Sequence, residues 1–339
     1  MRARVAFKKI INTFLYCLYL GATVLFLIEI AYRYQLIDFY NTELVVLNSE
    51  SDLKPSKEKK TVLICGDSFT AQFGNWAAQL KKELPDYRVV NSAVAGTSIV
   101  ETYYLAPGRI KSLDPDVFIY QIYVGNDLLG VRHRLNWRDW SAIRNIYWWL
   151  SDKIHVLSYF NYKMGQSNFF RSATVVGRPA EDKFDLNHYA LREKIYAKGD
   201  PFLISNSVLL TSSREEDMNY LLNSLSDVIS DLKPDCRVYL LVIPHKSQLN
   251  TSYLEQMSSV GFRFEDNFVI GNENYPFIEA MKNHFQSNPQ VKIINPFLPL
   301  MRRDSTFEHV YYLNDEHLTP VGQAITAEQV LKDMGNFDE

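Results

Sequence analysis

Cysteine is scarce. The 339-residue chain has three, Cys17, Cys65 and Cys236, with no Cys-x-x-Cys and no Cys/His ligand spacing, which excludes a disulfide scaffold and a structural zinc site. No excess of one charge sign is present either: 36 Lys and Arg stand against 39 Asp and Glu, a net charge of -3. Without an overall basic field, nucleic acid is a poor partner. Fourteen glycines and 13 prolines are too few for a collagenous or linker-like chain. His133, His155, His188, His245, His284 and His309 show no HExxH or similar spacing, so no metal and no cofactor is expected. No internal repeat is visible. What remains is 47% hydrophobic and 22% charged, an ordinary folded composition with length for one large core.

Ile10 to Ile28 runs 19 residues without a charge, roughly 28 Å of helix, close to the hydrocarbon thickness of a bilayer. A cleaved signal peptide would have a shorter apolar core and a small-x-small site, absent from Phe26-Leu-Ile-Glu-Ile-Ala-Tyr-Arg33. The segment reads as a retained anchor over 10–31. Arg2, Arg4, Lys8 and Lys9 precede it, and Arg33 is the lone basic residue in the twenty after it. The positive-inside rule then leaves a basic tail, 1–9, in the cytoplasm and everything past about residue 35 outside it. That predicts a single-pass protein of the inner, or cytoplasmic, membrane with its main domain in the periplasm or at the cell surface. Glu29 and Arg33 are four apart on the emerging helix, and Tyr32 and Tyr34 stand where an aromatic belt belongs. The polar stretch after it, with Ser49-Glu-Ser-Asp52 and Lys57 to Lys60, reads as a tether over 32–60.

From 61 to 339 the pattern is α/β. Thr61–Cys65, Asp116–Ile122, Arg237–Ile243 and Val291–Ile294 are short apolar, β-branched runs of the kind buried in a parallel sheet, and Arg88–Val90 is a shorter candidate. Helical stripes lie between them: Trp76, Leu80 and Leu84, then Met218, Leu221, Leu222, Leu225, Val228, Ile229 and Leu232, the latter with start signals at Ser212 and Ser213. Alternation of strand and helix predicts a mostly parallel sheet covered on both faces, with ligands at the carboxyl ends of its strands. An insertion over 128–200 interrupts it, carrying Trp137, Trp140, Trp148, Trp149, Tyr159, Phe160, Phe169 and Phe170. Two readings stand for it, a helical cap packed on the domain, and a lid or membrane-facing platform.

Four segments at strand ends carry chemistry. Gly66-Asp67-Ser68 places a serine in a tight turn between the first strand and a helix. Asn91-Ser-Ala-Val-Ala-Gly96-Thr-Ser98 follows the second strand, and Gly96 allows close backbone approach to a ligand. Gly125-Asn126-Asp127 follows the third and offers an amide donor. Asn314-Asp315-Glu316-His317-Leu-Thr-Pro320-Val-Gly322 puts Asp315 and His317 on a loop just before a helix, with Thr319 and Pro320 as cap and first residue.

Together these segments resemble the SGNH hydrolases, also called the GDSL esterase and lipase superfamily, over roughly 61 to 335. The resemblance implies a flavodoxin-like three-layer α/β/α fold, with Ser68 as nucleophile, His317 as base and Asp315 as its orienting acid. It implies an oxyanion hole of the Ser68 N–H, the Gly96 N–H and the Asn126 side chain. The family's acid commonly stands three residues before the His, where this chain has Asn314; Asp315 and Asn314 are thus both open as partner of the ring. The anchor, its Glu-Ile-Ala-Tyr-Arg exit and Leu241-Val-Ile-Pro244-His-Lys246 are similar to membrane-tethered members associated with bacterial surface polysaccharides.

A serine hydroxyl needs an imidazole to take its proton, and the imidazole needs a carboxylate to fix its tautomer. The residue types therefore fit cleavage of ester-linked acyl groups, acetyl foremost, on an extracytoplasmic glycan or lipid-linked substrate. The alternative is O-acyl transfer to a surface polysaccharide beside a membrane acyl-donor protein; a third reading is a glycan-binding protein without turnover. Cys65 is expected to be an inert buried thiol, Asp67 and Asp127 turn residues, His245 a satisfied loop histidine, and Glu316 a solvated carboxylate.

Overall fold

The computed structural model describes residues 2–54, 58–72, 74–135, 142–166, 183–211, 214–304 and 308–335. Of the residues singled out above, Lys57, Trp137, Trp140, Phe169, Phe170, Ser212 and Ser213 lie outside these. Five strands form one fully parallel sheet: β1 (Lys60–Cys65), β2 (Tyr87–Asn91), β3 (Val117–Tyr123), β4 (Arg237–Ile243) and β5 (Val291–Ile294), in the order β2-β1-β3-β4-β5. This is the flavodoxin-like doubly wound order. Every residue of β3 is buried, as an apolar run covered on both faces requires.

Right-handed crossovers decide which helix lies on which face. The chain steps outward from β1 to β2 through the helix Trp76–Glu83, then back across β1 to β3 through Ile99–Leu113. The two connections run in opposite directions, so their helices cover opposite faces. Trp76–Glu83 packs with the C-terminal helix Pro320–Gly335, and Ile99–Leu113 packs with Arg214–Ser230. The first of these helices starts where the Asn75 side chain accepts the Ala78 N–H, and Leu84 closes it. The buried stripe Met218, Leu221, Leu222, Leu225, Val228 and Ile229 faces the sheet side of Arg214–Ser230, each such side chain contributing about 1.5–3 kcal/mol.

The described parts of the insertion open on the short helix Asp127–Val131 and then carry Ala142–Ser151, Val156–Gln166 and Leu191–Gly199. Its two ends are held together by Arg214, which has no exposed surface. One guanidinium nitrogen donates to the carbonyls of Leu128 (2.9 Å) and Arg132 (3.1 Å) and to Asp217, while the other donates to Asp200 at 3.1 Å. A buried cation is tolerated when carboxylates and carbonyls answer it in this way.

The N-terminal helix spans Arg2–Arg33, and its stretch Phe7–Arg33 is long and apolar enough to cross a membrane, with the most apolar part of that stretch unburied. Its exit is not a free stalk. Residues 32–60, expected to be a tether, include the helices Asn41–Leu47 and Glu50–Leu53. They are fixed to the domain by Asp38 on Arg109 (2.8 Å) and by Asn48, which exchanges two hydrogen bonds with the Asn91 backbone (2.7 and 2.8 Å). Tyr32 is fully buried instead of standing in a belt, whereas Tyr34 is exposed. The reason is aromatic: Tyr32, Phe39 and Tyr40 meet Tyr104 and Tyr159, partners that lie 72 to 120 positions away in sequence.

Candidate active site

The turn after β1 is shaped by Gln121 of β3, whose Oε1 accepts the Asp67 N–H at 3.1 Å and the Thr70 hydroxyl at 2.9 Å. A Cβ on Gly66 would come within 2.7 Å of that same oxygen, so the turn needs glycine there. Asp67 then caps the short helix Ser68–Ala71 by accepting the Phe69 N–H at 2.9 Å. Burial, against that bond and the charge of His317, pushes the Asp67 carboxyl up to about 6. The expected role as a turn residue is thus what its contacts show. Ser68 is set at the carboxyl edge of the sheet, between the chain ends that follow β2 and β3.

The segment after β2 is laced to the end of β1 by Ser92 N–H on the Ile64 carbonyl (2.7 Å) and Val94 N–H on the Gly66 carbonyl (3.0 Å). Gly96 takes φ +75° there, the left-handed region that favours glycine. After β3, a Cβ on Gly125 would sit 2.4 Å from the Tyr123 ring, and Asp127 accepts the Tyr123 N–H at 2.9 Å. Asn126 therefore stands at the strand end on the opposite side of Ser68 from Gly96.

The fourth segment is a loop closed by a β-bridge between Tyr311 and Leu318 and by Tyr312 N–H on the His317 carbonyl (3.0 Å). Inside it lies the ammonium of Lys246, wholly buried, donating to the carbonyls of Tyr312 (3.1 Å), Leu313 (3.2 Å) and Asp315 (3.1 Å). It also lies over the rings of Tyr189 and Tyr253, 4.9 and 5.5 Å from their centroids. This loop brings His317 Nε2 to 2.8 Å from Ser68 Oγ. On the other side of the ring, Nδ1 hydrogen-bonds Asp315 Oδ1, which also accepts the His317 N–H at 2.9 Å.

Serine, imidazole and aspartate thus form one row assembled across 249 positions of sequence. Asn314 does not join it. Its side chain turns to the insertion, accepting the Asp185 N–H at 2.6 Å and donating to the Lys183 carbonyl at 3.1 Å. Of the two candidates for the ring's partner, the structure places Asp315 against His317. Burial works to lower the imidazole's proton affinity, but the Asp315 charge and hydrogen bond, helped by Glu316, outweigh it and raise His317 to about 9.

Glu316 is a correction to the sequence reading: it is buried, not solvated. It accepts from Asn126 Nδ2 at 3.4 Å and from Arg192 Nη2 at 2.9 Å. Arg192 comes from the insertion helix Leu191–Gly199 and also reaches the other flank of Ser68, its Nη1 lying 3.8 Å from where a Cβ of Gly96 would be. The neighbouring Glu193 is buried, and that burial, together with Glu316, pushes its carboxyl up to about 8. Neither Arg192 nor Glu193 carried a sequence signal; Glu316 had one, its place next to His317.

The remaining candidates stand outside the row. His245 is buried with Nδ1 2.8 Å from Ser247 Oγ, and burial with the Lys246 charge lowers it to about 3, a satisfied loop histidine. Burial pushes the Cys65 thiol up to about 12, which suits an inert side chain. Among the described residues, no group of three or more His, Cys, Asp or Glu is placed to hold a metal ion.

No protein-family model matches the sequence, and no curated protein does. Among solved structures, the chain is similar to a GDSL-like lipase from Bacteroides thetaiotaomicron at 10% identity, covering 88% of this chain and 99% of that one, with a TM-score of 0.42. It is also similar to a catalytic mutant of an acetylxylan esterase from Geobacillus stearothermophilus, at 12% identity, 84% and 96% coverage and a TM-score of 0.40. A third such structure is TesA, at 15% identity, 82% and 99% coverage and a TM-score of 0.40.

Proposed function

We propose that the protein is a membrane-anchored serine esterase of the SGNH, or GDSL, type, which removes ester-linked acyl groups from an extracytoplasmic substrate. The observation that carries this reading is the row Ser68 Oγ, His317 Nε2 and Nδ1, Asp315 Oδ1. In the neutral ring, Nδ1–H donates to Asp315 and Nε2 accepts the Ser68 proton. As that proton leaves, Oγ attacks the ester carbonyl carbon and the carbonyl electron pair moves to oxygen. The imidazolium, steadied by Asp315, then protonates the departing alcohol, leaving an acyl group on Ser68. Water, deprotonated by the same nitrogen, releases the acid.

The Ser68 and Gly96 N–H groups and the Asn126 amide are the donors we assign to the oxyanion. One such donor is typically worth about 10² to 10³ in rate. Acetyl groups on a glycan or lipid-linked sugar are the substrate class we favour, because the helix Arg2–Arg33 would keep the domain at a membrane, with the basic tail Arg2, Arg4, Lys8 and Lys9 on the cytoplasmic side. The test is direct. The full chain in detergent should cleave an activated acetate ester and take a fluorophosphonate label on Ser68; if Ser68→Ala did both as well as the parent, the assignment would fall.

Acyl transfer to a polysaccharide hydroxyl uses the same row. It is favoured by the contacts of the insertion with the catalytic loop, Asp185 on Asn314 and Arg192 on Glu316, which close part of the site against water. Loss of acyl from Ser68 that depends on added glycan and yields no free acid would mark transfer instead of hydrolysis.

A further inference from the structure

The helix Ala142–Ser151 presents apolar side chains on both sides. One side is packed: Trp148 is buried, stacked on His133 at 5.0 Å and covered by the Arg144 guanidinium at 4.6 Å, and Asn145 is buried beside it. The other side carries Ile143, Ile146 and Trp149, which are 86%, 49% and 52% exposed. These three recur at helical spacing, so they form one face. A face of two isoleucines and a tryptophan left to water is costly, and a patch of this kind marks an interaction surface.

What covers it follows from where the helix ends. The next residues are bonded to the exit of the N-terminal helix: Arg33 donates to the Lys153 carbonyl at 2.9 Å, and the Glu29 carboxylate accepts the N–H groups of His155 (3.0 Å) and Val156 (2.8 Å). Glu29 thereby caps the helix Val156–Gln166, which packs on the N-terminal helix. Leu25 and Ile28, in the last turns of the charge-free run, join the same apolar cluster as Val156, Ile154, Tyr159 and Phe160. The insertion therefore reaches down to the level at which the apolar run ends, which is where hydrocarbon gives way to headgroups. Tyr34, Leu36 and Ile37, just past the exit, are exposed as well.

We propose that the face Ile143, Ile146 and Trp149 lies in the interfacial layer of the bilayer, making the insertion a second membrane contact beside the anchor. This rests on the reading of the N-terminal helix as a membrane span. An in-plane helix buries its apolar side about 5–10 Å into the headgroup and acyl boundary, and tryptophan favours that layer.

The test uses the full chain with Cys17→Ser, reconstituted in phosphatidylcholine and phosphatidylglycerol vesicles. An environment-sensitive fluorophore is attached at Ile146→Cys, with Leu18→Cys in the span and Ser252→Cys on the domain for comparison; Cys65 and Cys236 are buried. Lipid brominated high in its acyl chains should quench the probe at 146 by roughly twofold or more, deep bromines should quench the probe at 18, and neither should quench the one at 252. A probe at 146 that behaves like the one at 252, while 18 is quenched, overturns the proposal. So does a probe at 146 that is blue-shifted but unquenched, which would mean a protein covers the face. An unquenched probe at 18 removes the anchor and the proposal with it. Ester cleavage by the same vesicles is read separately, so failure of the catalytic reading is not confused with either.

Discussion

The Nζ atom of Lys246 lies 3.1 Å from the main-chain oxygen of Asp315, on the residue whose side chain holds the His317 imidazole. With the Tyr312 and Leu313 carbonyls it fills the interior of the loop, so a charge deep in the protein shapes the approach of His317 to Ser68. Lys246→Met should leave three buried carbonyls without their donor. We expect a loss of about 2–5 kcal/mol in stability and a fall in kcat of roughly 10- to 100-fold with KM little changed, since small displacements of a catalytic group act on the chemical step. Denaturant titration and steady-state kinetics on a soluble acetate ester check both.

Ser68→Ala should lower ester cleavage by about 10⁴-fold or more and abolish fluorophosphonate labelling, with the melting temperature unchanged. Asn126→Ala should cost about 10² to 10³ in kcat. Because Asn126 Nδ2 and Arg192 Nη2 both donate to Glu316 Oε1, so that Arg192 fixes the carboxylate that holds the amide, Arg192→Met should reproduce part of the Asn126→Ala loss without affecting the reactivity of Ser68 toward a small label.

The pH profile follows from His317. A base raised to about 9 is mostly protonated at neutral pH, so kcat/KM should climb about tenfold per pH unit below that value and level off above it. Asp315→Asn removes the charge that raises it and should move the inflection to lower pH while lowering the plateau. The sign for stability is opposite. The folded state binds this proton more tightly than the unfolded chain, so the contribution is full below about pH 6.5 and disappears as pH rises through about 9.

Arg214→Met should destabilise the protein by about 1–3 kcal/mol, because the Leu128 and Arg132 carbonyls lose their buried donor and Asp200 and Asp217 keep only the more exposed Arg134 and Arg132 as cations. It should also raise proteolytic cleavage within 128–200 before cleavage of the sheet, as seen by limited proteolysis with mass detection.

Much of the scaffold was legible because each strand is a short β-branched run bounded by turn residues: Arg237–Ile243 and Val291–Ile294 match the observed limits, and the other three fall within a residue or so. The four segments of the site were legible for a related reason, since each sits at the end of a strand or the start of a helix, where local sequence dictates conformation. What escaped were charges and rings whose partners are distant. Glu316 read as solvated, and nothing local marked Lys246 or Arg192 for burial, since most lysines, arginines and glutamates are solvated; only the closed loop and the insertion give them buried partners. The stretch 32–60 read as a tether because its second half is polar, while Phe39, Tyr40 and Leu44 in its first half depend on neighbours brought in from the insertion and the sheet.

Val94, two residues before Gly96, belongs to the same apolar cluster as Tyr32 at the base of the N-terminal helix. The candidate pocket is thus bolted to its own mast. With that mast in a bilayer, the pocket rides at one fixed altitude and explores the cell only by drifting sideways, with no arm to swing toward anything farther out.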